Sequence, residues 1–230
     1  MPDALSMYRD GSYLEVTGGT WDITDAPIKA ASVLEGLRKQ NIQPNSVCDI
    51  GCGAGGVLHE LQLALPPHIQ FTGYEVSPQA HEISRQFANE RCNFVLDNPF
   101  EDGRVFDVAL ALDVFEHVED CFAFLRQMKS KARYKIYHIP LEVHASAALR
   151  GCHGWQVGHL HQFTRETALM TVEHSDQKVL DWFLTGPATG AGTFRRTQLA
   201  NLIRRPLATI AGKPFAARLL GGYSLLVIAS

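Results

Sequence analysis

The sequence predicts an α/β fold built around a mostly parallel sheet. Three observations carry that expectation. From Ser46 onward, short apolar runs rich in β-branched and aromatic residues alternate with helical patterns. Such alternation generates right-handed βαβ units and therefore parallel strands. A glycine-rich segment, VCDIGCGAGG (47–56), covers the first of these runs and its exit. Two further strand-like runs near the end of the chain have a long excursion, and no strand, between them.

Taken in order, residues 27–40 read as a helix opening with Pro27. SVCDI (46–50), IQFTGYE (69–75), CNFVL (92–96), VFDVALAL (105–112) and YKIYHI (134–139) read as strands. Helices are expected between them at 54–64, 78–90 and 119–132; in the second, Ser77 suits the cap and Pro78 the first helical position. KVLDWFLT (178–185) and YSLLVIA (223–229) complete seven strands. The excursion between them holds GPATGAG (186–192), an amphipathic stretch at 195–211 and GKP (212–214).

Composition narrows the class. With 230 residues, 46% hydrophobic and 20% charged, the chain can pack a normal core. No apolar run reaches the roughly 18 residues that span a bilayer, and the N-terminus lacks the basic and apolar regions of a signal peptide. Cys48, Cys52, Cys92, Cys121 and Cys152 form no C-x-x-C pair, so neither disulfides nor a zinc site is expected. A cytoplasmic location follows as the expectation. The net charge of −3 is unevenly spread: residues 186–222 carry six basic residues and no acid, leaving 15 basic against 24 acidic residues elsewhere. That asymmetry points to an anionic partner or surface.

Gly51, Gly53 and Gly56 fit G-x-G-x-x-G, the dinucleotide fingerprint. Asp49 opposes that reading, because a dinucleotide sets its pyrophosphate beside the second glycine. An acid there suits a cationic ligand such as S-adenosylmethionine. With DIGCGAG (49–55) in this position, the chain resembles the class I S-adenosylmethionine-dependent methyltransferases. The resemblance implies a Rossmann-like methyltransferase fold, with helices on both faces of a seven-stranded sheet whose last strand is reversed. It also implies a cofactor site of Asp49, Gly51, Cys52, Gly53, Gly55, Glu75, Val76, Asp97, Asn98, Leu112 and Asp113. Glu75 would bind the ribose hydroxyls, Asp97 and Asn98 the adenine, and Leu112 with Asp113 the methionine part. By the same resemblance, residues 1–45 form a lid and helical segment, 46–185 the cofactor-binding core, 186–222 a basic cap over the substrate cleft, and 223–230 the returning strand.

DNPF (97–100) looks like an amino-methylation motif, but it follows the third strand, whereas that motif belongs after the fourth. Transfer to an oxygen of a small, anionic or sugar-containing acceptor is therefore the expected chemistry. His159 is the first candidate base and His138 the second, the latter at the end of the fifth strand. By resemblance His161 borders the substrate pocket, and Trp21 and Lys29 belong to a lid over it. Asp113, Glu116 and His117 give D-x-x-E-H, similar to the divalent-metal motif of quinone-pathway O-methyltransferases, with His138 as a fourth ligand; no metal is the expected case. Leu199, Leu202, Ile203, Leu207 and Ile210 recur at helical spacing beside Arg195, Arg196, Arg204 and Arg205, with Pro206 and Pro214 expected to interrupt. This stretch is read as a cap with solvated arginines or as a contact for anionic lipid or a lipid-linked substrate. Without an aromatic stacking platform it is too thin for nucleic acid. The remaining alternatives are a catalytically silent S-adenosylmethionine-binding module and an NAD-dependent oxidoreductase.

Overall fold

A computed structural model describes Tyr8, Trp21 and residues 23–150, 158–186 and 195–230. Seven strands form one sheet: β1 (Ser46–Ile50), β2 (Gln70–Glu75), β3 (Cys92–Leu96), β4 (Phe106–Leu112), β5 (Ala132–Pro140), β6 (Val179–Thr185) and β7 (Ser224–Ala229). Their order is β3-β2-β1-β4-β5-β7-β6. The first five pair in parallel, while β7 runs antiparallel between β5 and β6. The reversed last strand expected from sequence is thus present, and it pairs with both of its neighbours.

β4 and β7 are nearly all apolar, as strands covered on both faces must be. One face packs on the helices Ala26–Lys39 and Gly56–Ala64 through Ala30, Val33, Leu37, Leu58 and Leu61. The other packs on Cys121–Lys131 and Arg165–Glu173 through Phe124, Leu125, Met128, Ala168 and Val172. Gly36 lets the first helix sit against β7, since a Cβ there would lie 3.2 Å from a Leu226 methyl. The helix Ala26–Lys39 thus packs directly on the sheet.

Local chemistry accounts for several helix ends. Ser77 caps Pro78–Ser84 by accepting from the Ala80 amide, and Asp120 caps Cys121–Lys131 by accepting from Ala123. Thr164 and Thr167 form a reciprocal capping box for Arg165–Glu173. The helix expected over 78–90 is shorter. It closes in a 3-10 turn at Arg85–Phe87, because Ala88 turns extended and Asn89 bridges back to Cys92.

The excursion departs further from expectation. The helix Arg195–Ala211 continues through Pro206, and Lys213–Leu220 starts at the expected second proline. Pro206 lies on the exposed side, so only the solvent-facing Leu202 carbonyl loses its helical partner. Arg204 is buried, donating to Asn201 and to the Leu220 carbonyl, and is no solvated arginine. Cys48, Cys52, Cys92 and Cys121 are free thiols in the interior, and Cys152 lies outside the described residues. Among the described residues, no helix is long and apolar enough to cross a membrane.

Candidate functional site

β1 lies between β2 and β4: the chain runs outward from β1 through β2 to β3, then crosses back to β4 on the other side of β1, so the strand order reverses there. The carboxyl ends of strands at such a switch point open a crevice for ligands. Here the crevice is a cleft of about 400 Å³. Its floor is the glycine loop, where Gly51 has φ 72° and Gly55 has φ 80°. Both positions are closed to side chains: a Cβ on Gly51 would meet Val114 at 2.8 Å, and one on Gly55 would meet Phe94 at 2.7 Å. Gly55 in the left-handed region starts the following helix at Gly56, two residues later than the sequence pattern suggests.

The acids around this loop are held in different ways. Glu75, at the end of β2, accepts from the amides of Gly53, Val76 and Ser77 at 2.8–2.9 Å. Burial pushes its carboxyl up, against those three donors. Asp49 is 3% exposed, and its Oδ1 meets no partner among the described residues. Burial pushes the Asp49 carboxyl up to about 7, with Lys29 opposing and Glu75 reinforcing.

The exit of β4 forms the opposite wall. Asp113 takes φ 58° and bonds Lys29 Nζ and His138 Nδ1, each at 2.7 Å. Burial raises its carboxyl, but His138 and Lys29 prevail and hold it well below the usual range. Beyond it, Glu116 is fully buried and neither carboxyl oxygen finds a partner among the described residues. Burial, then the Asp113 charge, pushes Glu116 well up.

Two imidazoles flank Glu116, their rings 4.6 Å apart edge to face. His117 Nδ1 lies 3.1 Å from the Gly158 carbonyl and 3.0 Å from the Tyr8 hydroxyl. A carbonyl only accepts, so Nδ1 carries the proton and Nε2 keeps a lone pair. Burial and the neighbouring His159 push His117 down to about 4, so it is neutral at pH 7. His159 Nδ1 faces Glu142 Oε2 at 2.8 Å, which likewise leaves Nε2 open. Glu116, His117 and His159 each offer one ligand atom within 4.8 Å of the others, a set able to hold a divalent ion.

The cleft brings together Asp49, Gly51, Cys52, Gly53, Glu75, Val76, Leu112, Asp113, Trp21, Lys29 and His159. It does not bring in five other sequence candidates. Gly55 serves the helix start, and Asp97 and Asn98 are exposed at the exit of β3. His138 lies behind Asp113 with both ring nitrogens engaged, the first by Asp113 and the second by Thr185 at 2.9 Å. His161 is turned away and bonds the Val118 carbonyl. The potential metal ligands regroup accordingly: Asp113 and His138 bond each other, and His159 joins Glu116 and His117. Sequence reasoning missed Tyr8 and Glu142. IPLEV (139–143) carries no signal that an acid two residues past β5 supports a histidine 17 positions away.

The model of one family, described as a methyltransferase domain, matches residues 25–205. Norajmaline N-methyltransferase of Rauvolfia serpentina is 32% identical over 127 residues, 48% of this chain and 42% of that protein. Ubiquinone biosynthesis O-methyltransferase of Methylobacterium nodulans is 37% identical over 87 residues, 35% of this chain and 34% of the other. These matches span less than half of each curated relative. Magnesium protoporphyrin IX methyltransferase from Synechocystis PCC 6803, solved with S-adenosylmethionine, superposes with a TM-score of 0.62 at 16% identity, covering 100% of this chain and 97% of that one. The plantazolicin methyltransferase solved with S-adenosylhomocysteine gives 0.63 at 16%, covering 98% and 92%. By its fold, its glycine loop and a family match across most of its length, the chain belongs to the methyltransferase-domain family of S-adenosylmethionine-dependent enzymes.

Proposed function

We propose that this protein transfers a methyl group from S-adenosylmethionine to a hydroxyl oxygen of a small acceptor, with His159 as general base. The observation that carries the reading is the Glu142–His159 pair opening on the cleft. A hydroxyl must lose its proton as it attacks, whereas a free amine attacks with a lone pair it already has. Glu142 fixes the imidazole with Nε2 toward the acceptor and stabilises the imidazolium that forms on proton transfer.

The cofactor fits the residues present. The unpartnered buried Asp49 oxygen suits a cationic group, and Glu75 Oε2, which accepts from Gly53 alone, keeps acceptor capacity for a hydroxyl. Bound in the cleft, S-adenosylmethionine supplies an electrophilic methyl on a sulfonium. Asp49 and Glu75 would hold it, Lys29 and His138 keep Asp113 ionised and in place, and Trp21 narrows the opening. Of the acids lining the cleft, Asp113 is paired with Lys29 and His138, and burial pushes Asp49, Glu75 and Glu116 up.

The test is methyl transfer from labelled cofactor to a panel of hydroxylated acceptors. His159→Ala should lower kcat about 10²–10⁴-fold and leave cofactor affinity unchanged. Glu142→Gln should lower kcat less and shift its pH profile. Full turnover by His159→Ala would remove the base from the reading.

A second reading is favoured by the orphaned Glu116 carboxylate. Glu116, His117 and His159 would hold a divalent ion that lowers the acceptor hydroxyl's proton affinity directly. Activity lost on chelation and restored by Mg²⁺ or Mn²⁺, with matching calorimetric binding, would select it over the unaided base.

A further inference from the structure

Residues 195–220 fold into two consecutive helices whose amphipathicity is turned inside out. In Arg195–Ala211 the inward positions are Asn201, Arg204, Leu207 and Ala208. The outward stripe is Leu202, Pro206 and Ile210, spaced four apart, with Ile203 beside it. Leu202 is 71% exposed, Ile203 65% and Ile210 86%. The helix Lys213–Leu220 repeats the arrangement. It buries the small residues Ala216 and Ala217 and exposes Phe215 by 51% and Leu219 by 40%. A surface helix normally hides its large apolar residues, and an exposed set of this kind on two successive helices points to an interaction face.

Charge decides the occupant. Arg205 and Lys213 are exposed on these helices, and no Asp or Glu occurs anywhere in 186–222, while the rest of the chain is strongly acidic. Arg218 is paired with Glu166 of the neighbouring helix, which leaves Arg205 and Lys213 as the cations beside the large apolar side chains. That combination matches the headgroup–acyl boundary of an anionic bilayer, where aliphatic groups enter the acyl layer and cations meet phosphates. A protein groove would need apolar complementarity but not charge of one sign.

We infer that the outer face of residues 202–219 docks the protein on the surface of anionic membranes. The inference is independent of the acceptor's identity. The face lies close to the cleft in the chain, because Lys213–Leu220 ends four residues before Ser224, which lines it.

The experiment is co-sedimentation of the full chain with phosphatidylcholine vesicles and with mixed phosphatidylcholine–phosphatidylglycerol vesicles. The wild type should bind the mixed vesicles, release with rising salt, and leave phosphatidylcholine alone. Leu202→Ser/Ile210→Ser/Phe215→Ser and Arg205→Gln/Lys213→Gln should each weaken binding at least tenfold. Both change only exposed residues, and unaltered far-ultraviolet circular dichroism and cofactor titration verify the fold. No binding to either vesicle overturns the inference, as does binding that ignores lipid charge and the Arg205/Lys213 change. A dimer abolished by the triple variant, without vesicle binding, would instead assign the face to a second copy of this chain.

Discussion

Replacing Asp49 by Asn separates what this side chain does for the cofactor from what it costs the fold. An unfolded aspartate titrates near 3.9, whereas burial pushes Asp49 up to about 7. Between those values the folded chain holds a proton that the unfolded chain has released, so stability falls as pH rises through that window and levels off above it. A gap of about three pH units corresponds to about 4 kcal/mol at pH 8. The Asn amide would be buried with incomplete hydrogen bonding, offsetting about 1–3 kcal/mol of this gain. Asp49→Asn should therefore be about 1–3 kcal/mol more stable than wild type at pH 8 and about 1–2 kcal/mol less stable at pH 4, where the linkage gain has almost vanished and the amide cost remains. The difference should grow with pH by up to about 1.4 kcal/mol per unit between pH 4 and 7. Urea unfolding at four pH values measures it, and calorimetry should show S-adenosylmethionine binding weakened at least tenfold. In the wild type at pH 6, cofactor binding should release a proton, detectable as a dependence of the heat on the buffer. A pH-independent stability difference, or a less stable variant at pH 8, would refute the argument.

Glu75→Gln should weaken cofactor binding at least tenfold by titration, because an amide group must then face a backbone N–H that the carboxylate now accepts. Gly73→Ala should destabilise by about 1–3 kcal/mol in urea, since its Cβ would lie 2.6 Å from Phe94 and 2.7 Å from the Cys52 sulfur; unchanged stability would mean the β2–loop contact yields freely. Asp102→Asn should flatten the acid limb of the stability profile. Burial raises Asp102, but hydrogen bonds from Lys131, Tyr74 and Arg104 outweigh it and hold the carboxyl well below its usual range, so its contribution is present above pH 4 and lost on acidification. Asp102 is partly exposed, so the loss at pH 7 should be about 1 kcal/mol.

What could be read from sequence alone rests on local rules. Strand runs of β-branched and aromatic residues, the glycine loop and the cap at Ser77 are set by neighbours within a few residues. The sheet and its glycine loop were therefore legible, together with Asp49 and Glu75 as the acids beside that loop. Side-chain pairing across distant elements was not. That His138 is consumed by Asp113 and Thr185, and that His159 gains Glu142 and stands beside Glu116, depends on how β4, β5, β6 and the loop before Arg165 are stacked. The same holds for the excursion, where periodicity showed an apolar stripe but not its direction. A helix buries whichever face its neighbours leave room for, and here tertiary packing took Ala216, Ala217 and Arg204 inward and left Leu202, Ile203 and Ile210 to the outside.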